Sequence, residues 1–227
     1  MLIYGKNVFK EIPLNQIKRI ILNENFSDYE LLEKIKNKPI KYLSKKEMDK
    51  LVKGNHQGII GEITDYHYCE LNELLKNKTP FLVMLDHLED PHNFGAIIRS
   101  CEAAGVDGII IAKNRSVEVN STVIKVSAGA IANMKIALVT NLVTTIKKLK
   151  EENFKIIGTD MEGEDYKKIN YNEKLCLIIG NEGKGMSRLV KENTDKIATI
   201  PMKGTINSLN ASVATGIIVF EASYQRK

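Results

Sequence analysis

After Pro80 the chain alternates short, unbroken apolar runs with stretches of helical periodicity, and this alternation restricts its fold more than any other feature. Phe81 to Leu85, Gly108 to Ala112, Ile136 to Val139, Lys155 to Gly158, Leu175 to Ile179 and Ile197 to Ile200 read as strands. Helices are expected over Asn93 to Ala104, ended by Gly105, and over Ser121 to Ala132. Another is expected over Leu142 to Glu152, where Leu142, Ile146 and Leu149 share a face, and a long one over Ser208 to Tyr224. A strand with no polar face must be covered on both sides. The pattern therefore predicts a mainly parallel sheet between two helical layers. Ligands of such sheets gather at the carboxyl ends of the strands.

The front of the chain is a separate small α/β unit. Ile17 to Leu22 and Ile40 to Leu43 read as strands, and His56-Gln57-Gly58-Ile59-Ile60-Gly61 opens another after a turn. Ser27 to Ile35 reads as a helix with Ser27 as N-cap and Glu30 at the capping-box position, and Ser44 caps a second helix over Lys46 to Val52. The expected organisation is a unit over 1–64, a polar linker over 65–79 with a short helix at Leu71 to Leu75, and a second unit over 80–227.

No run approaches the roughly 18 apolar residues of a membrane span, and the start, Met1 to Lys6, lacks the basic and apolar regions of a signal peptide. Cys69, Cys101 and Cys176 are odd in number and far apart, so neither a disulfide framework nor a metal site is expected, and a reducing cytoplasm fits best. The net charge of +5 is mild. Its distribution is uneven: Lys34, Lys36, Lys38, Lys41, Lys45, Lys46, Lys50 and Lys53 face only Glu47 and Asp49. This run is either solvated surface or a phosphate-contacting patch, and charge alone does not choose.

Three signatures each follow a strand directly. The first is Asp90-Pro91-His92-Asn93-Phe94-Gly95-Ala96-Ile97-Ile98-Arg99. Asp90-Pro91 makes a stiff turn, Asn93 is placed to cap the helix, and Arg99 is either a surface cation or a fork for a phosphate or ribose oxygen. The second, Ile179-Gly180-Asn181-Glu182-Gly183-Lys184-Gly185-Met186, lacks the Lys-Ser/Thr of a phosphate loop and the glycine fingerprint of dinucleotide sites. Its glycines suit a planar ligand lying against the backbone. Glu182 is either a helix-start carboxylate or a group facing a ligand amine or orienting Arg99. The third runs from Ile200-Pro201-Met202 to Asn207-Ser208-Leu209-Asn210-Ala211-Ser212, with Ser208 a natural N-cap.

In this order the three signatures resemble the SpoU family of S-adenosylmethionine-dependent RNA ribose 2′-O-methyltransferases, also called TrmH-like. Asn93-x-Gly95-x-x-x-Arg99 and Ser208-Leu209-Asn210-x-Ser212-x-Ala214 match its first and third motifs. Lys125 to Ala130 and Val139-Thr140-Asn141-Leu142 look like the segments between its first two motifs, and the likeness covers Phe81 to Tyr224. Tyr4 to Val8 and His56-Gln57-Gly58 resemble, more loosely, the small RNA-binding domain like ribosomal protein L30e that precedes many such domains. The resemblance implies a trefoil-knotted α/β (SPOUT) domain behind an L30e-like α/β domain, working as a homodimer. It implies catalytic roles for Arg99, Asn93, Glu182, Ser208 and Asn210. It implies contacts to S-adenosylmethionine from Thr140, Asn141, Gly180, Asn181, Glu182, Gly183, Ile200, Met202, Ser208, Leu209 and Asn210, and no metal. RNA is the implied partner, with a guanosine of 23S rRNA, as in the RlmB-type enzymes, favoured over tRNA. A guanidinium is too basic to accept the ribose proton, so Arg99 is expected to orient the ribose and stabilise its charge. A nearby phosphate, Glu182, water, His87 or His92 is left as acceptor. The alternatives in other classes are a non-catalytic RNA-binding or ribosome-assembly protein and a dinucleotide-dependent oxidoreductase.

Overall fold

The computed structural model describes residues 1–63 and 65–226. The expected boundary at Thr64 and the terminal Lys227 lie outside the described residues. The front unit comprises β1 (Leu2–Tyr4), α1 (Lys6–Glu11), β2 (Ile17–Asn23), α2 (Tyr29–Ile35), β3 (Ile40–Leu43), α3 (Lys45–Leu51) and β4 (Ile59–Ile63). Its strands form one sheet in the order β1-β4-β2-β3, antiparallel except for β2 beside β3. A short 3-10 helix at Leu71–Leu75 leads on.

The larger unit follows as β5 (Phe81–Leu85), α4 (Pro91–Ala103), β6 (Gly108–Ala112), α5 (Ser121–Val126), β7 (Ile136–Val139), α6 (Leu142–Glu151), β8 (Lys155–Asp165), β9 (Leu175–Ile179), α7 (Arg188–Glu192), β10 (Lys196–Thr199) and α8 (Ala211–Gln225). All six strands run parallel in the order β10-β8-β9-β5-β6-β7. Their side chains alternate between two cores. Phe81, Val83 and Leu85 pack with Phe94, Ile97 and Ile98 of α4 and with Ile218 and Val219 of α8. Leu82 and Met84 pack with Leu142, Ile146 and Leu149 of α6 and Val190 of α7. That is why β5 has no polar position: each of its side chains is buried, at about 1.5–3 kcal/mol apiece. Burial also pushes the Cys101 and Cys176 thiols up, so they behave as small apolar groups.

Several helix starts differ from expectation, each for a local reason. Asp28, not Ser27, caps α2: its carboxylate accepts from the Leu31 N–H at 3.3 Å and is fixed by Lys6 at 3.1 Å. Ser44 caps α3, as expected, and the capping box is formed here, with Glu47, rather than at Ser27 and Glu30. Asp90, not Asn93, caps α4, accepting from the His92 and Asn93 N–H groups, and Pro91 takes the first helical position where its missing N–H costs nothing. Asn210, not Ser208, caps α8. The helix expected over Ser121 to Ala132 stops at Val126, because Ala128 and Gly129 take φ of 50° and 86°. β8 runs well beyond Gly158, and its partner β10 slips: Lys196 and Ile197 pair with Ile157 and Gly158, but Ala198 and Thr199 with Glu164 and Asp165. His56 to Gly58 form the turn before β4, with Gln57 at φ 51°.

Candidate active site

β5 and β9 are neighbours at the centre of the sheet, in register from Phe81 and Leu175 to Leu85 and Ile179. The loops leaving their carboxyl ends therefore meet. Asp86, 1% exposed, ties them: its carboxylate accepts from the Ser187 N–H at 2.6 Å and lies 2.5 Å from His87 Nδ1. Asn181 closes the same seam from the other side, donating from Nδ2 to the His87 carbonyl at 2.8 Å. Its Oδ1 accepts from the Gly183 and Lys184 N–H groups, and its main chain exchanges two hydrogen bonds with Gly185, at 3.0 and 2.9 Å. Gly180 is forced here, because a Cβ would stand 2.4 Å from the Gly185 carbonyl carbon.

The three signatures are joined at Asn93. Because Asp90 does the capping, the Asn93 carboxamide is free to reach sideways. Its Nδ2 donates to Glu182 Oε1 at 3.0 Å, and its Oδ1 accepts from Asn210 Nδ2 at 2.9 Å. The carboxylate can only accept, which fixes the orientation of both amides in turn. Asn210 Oδ1 then accepts from the Ser212 N–H and hydroxyl and from the Val213 N–H, capping α8. Gly95 lets α4 approach α5: a Cβ there would meet Val126 Cβ at 2.7 Å. Replacing Asn93 by aspartate keeps the size but sets two carboxylates against each other. We expect Asn93→Asp to lower turnover by about 100-fold with a smaller loss of melting temperature. Turnover within threefold of the parent would show that the junction is not needed.

Arg99 sits six residues beyond Asn93 on α4, exposed, and among the described residues its guanidinium makes no hydrogen bond or ion pair. Of the roles left open for Glu182, orienting Arg99 is not seen; its carboxylate accepts from Asn93 instead. Ser208 is exposed in the loop before α8, while Ile200, Met202 and Leu209 are half-buried. From Ile200 to Leu209 the main-chain N–H and C=O groups have no partner among the described residues. Thr140 and Asn141 are not brought into the junction: β7 is at the sheet edge, and the Asn141 carboxamide is spent capping α6 through the Thr144 N–H. Asp86 escaped the sequence reading. Its signal was an acid placed directly after a wholly apolar strand, where it must be buried and must find donors.

The sequence model of the SpoU rRNA methylase family matches residues 80–220. The chain belongs to that family. Residues 2–69 match the model described as RNA 2′-O ribose methyltransferase substrate binding. Among curated relatives, the Bacillus subtilis protein YacO, assigned to the TrmH family of tRNA/rRNA methyltransferases, is 45% identical over 193 residues, covering 82% of this chain and 78% of that protein. The solved AdoMet-bound rRNA methyltransferase of Sinorhizobium meliloti superposes with a TM-score of 0.81 at 25% identity, over 98% of this chain and 86% of that one. The A. aeolicus TrmH/SpoU tRNA modifying enzyme gives 0.61 at 34% identity, over 69% and 80%.

This SpoU protein is therefore an S-adenosylmethionine-dependent RNA methyltransferase with the SPOUT α/β fold, and the non-catalytic and oxidoreductase alternatives fall away. Its residues fit that cofactor. The glycine loop at Gly180 and the unpaired main chain of 200–209 offer donors and acceptors beside half-buried apolar side chains, the environment that a nucleoside with a polar edge requires.

Proposed function

We propose that this SpoU enzyme methylates a ribose 2′-hydroxyl, most favourably of a guanosine in 23S rRNA, as a homodimer in the cytoplasm. The observation that carries the reading is the Glu182–Asn93–Asn210 chain, which makes one site of three loops. Bound S-adenosylmethionine supplies the electrophilic methyl group. Gly180, Ile200, Met202 and Leu209 hold it through their main chain, Asn181 and Gly183 shape the loop around it, and Ser208 and Asn210 border the reacting hydroxyl. Arg99, an unpaired planar fork, orients the ribose and its phosphate and offsets the charge that develops on the oxygen. Placement in line contributes several kcal/mol more. Glu182 is the acid of the junction, and we assign it the ribose proton.

The rRNA preference is supported by coverage. The S. meliloti rRNA enzyme matches nearly the whole chain, front unit included, whereas the A. aeolicus tRNA enzyme matches 69%. A tRNA substrate is the second reading, since YacO is assigned to a family of tRNA/rRNA methyltransferases. Total RNA from cells lacking this protein, incubated with enzyme and labelled cofactor, separates the two. We expect label in 23S rRNA; label confined to tRNA would establish the second reading.

The dimer is supported by α8. Val213 and Phe220 are 50% and 51% exposed, and together with Ile217 and Tyr224 they follow a 4-3-4 spacing that puts them on one face. α8 packs on α4, so a second copy seated on that stripe would enclose the helix carrying Arg99. Sedimentation at micromolar concentration should give twice the 25.5 kDa chain mass. Phe220→Lys should give the monomer and lose activity; a monomeric parent would remove the dimer from the account.

A further inference from the structure

The front unit contains a cavity of about 530 Å³ that none of the three signatures lines. It opens between the turn 54–58, the segment after β2 and the first turn of α3. Its inner wall is polar and held in place. Gly58 N–H donates to His56 Nδ1 at 3.0 Å, so the buried ring carries its proton on Nε2 and donates to Asp49 Oδ1, also at 3.0 Å. The other Asp49 oxygen is left as an acceptor. Gln57, strained at φ 51°, accepts from the Lys6 N–H through Oε1 at 2.8 Å, which leaves its NH₂ unspent. Asn55 Oδ1 accepts from the Gln57 N–H, and its NH₂ is likewise unspent. Backbone strain of this kind persists where the surroundings hold it.

One wall is aromatic. The half-buried Phe26 ring lies so close to Gly58 that a Cβ there would meet Phe26 Cδ2 at 3.0 Å, and Lys6 Nζ stands 5.2 Å from the ring centroid. The rim is cationic. Of the eight lysines between 34 and 53, Lys34, Lys36 and Lys38 are tied to the Lys10 carbonyl, Glu33 and the Ile17 carbonyl. Lys41, Lys45, Lys46, Lys50 and Lys53 are exposed and their ammonium groups make no hydrogen bond or ion pair among the described residues, and Lys45 stands on the cavity. An aromatic face, amide donors beside a fixed carboxylate, and the free Lys45 at the mouth together match a base, its hydrogen-bonding edge and its phosphate.

We propose that this cavity takes one unpaired nucleotide of the substrate RNA. The base would stack on Phe26 and be read by Asn55, Gln57 and Asp49, with its phosphate held by Lys45. This rests on the RNA-methyltransferase reading, and it adds a recognition pocket separate from the reacting ribose. A wholly paired helix could not fill it, so the target carries a bulge or loop at this contact.

The test uses the full-length protein, a fluorescein-labelled single-stranded RNA 12-mer of mixed sequence, and the same strand in a duplex. Asn25→Ala with Lys45→Gln removes two exposed cavity side chains that are unbonded within the protein, and Phe26→Leu keeps bulk without the stacking face. We expect the single strand to bind the parent more tightly than the duplex. Both variants should bind it about tenfold more weakly with unchanged S-adenosylmethionine affinity, and the double variant should keep the parent's melting temperature. A strand carrying 5-iodouridine should cross-link to the peptide containing Phe26. Variants that bind within twofold of the parent, with cross-links elsewhere, would overturn the pocket while leaving the methyltransferase reading intact. A parent that binds cofactor but neither RNA would remove the RNA-binding role of the front unit, and the pocket with it.

Discussion

Arg99→Ala should lower the turnover number by about 1000-fold while leaving cofactor affinity within twofold and the melting temperature unchanged. Arg99 is exposed and unpaired, so its removal exposes no cavity and strands no buried partner, and exposed positions of this kind shift stability by about 0.5 kcal/mol or less. On the proposed mechanism its value lies in the reaction. Removing one preorganised donor from a developing oxyanion costs about 100- to 1000-fold, and a guanidinium brings full charge and two parallel donors. Arg99→Lys restores the charge without the fork and should recover only part of the loss. Single-turnover methylation with saturating cofactor reads both variants. Activity above a tenth of the parent in Arg99→Ala would move the reacting group away from α4.

Gly180→Ala should cost more than 100-fold in S-adenosylmethionine affinity and about 2 kcal/mol or more of stability. The added Cβ would stand 2.4 Å from the Gly185 carbonyl carbon and 2.5 Å from the Met186 nitrogen, and both are backbone atoms that no rotamer change can move aside. Relief requires opening the paired turn between Asn181 and Gly185, whose two hydrogen bonds shape the loop. Opening it also pulls Met186 from the core and Ser187 from the Asp86 carboxylate. Calorimetric titration and thermal melting measure the two losses separately. Cofactor affinity within threefold of the parent would mean that this loop does not hold S-adenosylmethionine.

The strands were legible because of how parallel sheets are buried. β5, β6, β7 and β9 have the ends read from their apolar runs, since cover on both faces leaves little place for a polar side chain within them. Caps were harder. At Ser27 and Asp28, at Asp90 and Asn93, and at Ser208 and Asn210, two competent side chains compete within three residues. The winner is set by which oxygen reaches the N–H groups two and three residues on. In the site, the three loops could be read but not their connections. Asn93 reaches Glu182 across 89 residues and Asn210 across 117, and no local pattern encodes those contacts. The misplaced cap hid them, because an asparagine spent on capping has no oxygen left for Asn210. Asp86 was hidden for the opposite reason: it stands outside every motif, and its partner Ser187 is 101 residues away.

The central claim is that these loops form one site for methyl transfer to a ribose oxygen. The most direct measurement is the position of the methyl group in RNA labelled from S-adenosylmethionine and then hydrolysed with alkali. Cleavage requires a free 2′-hydroxyl, so the account predicts label in one alkali-resistant dinucleotide, absent with Arg99→Ala. Label released in an ordinary mononucleotide would place the methyl group on a base and contradict the account.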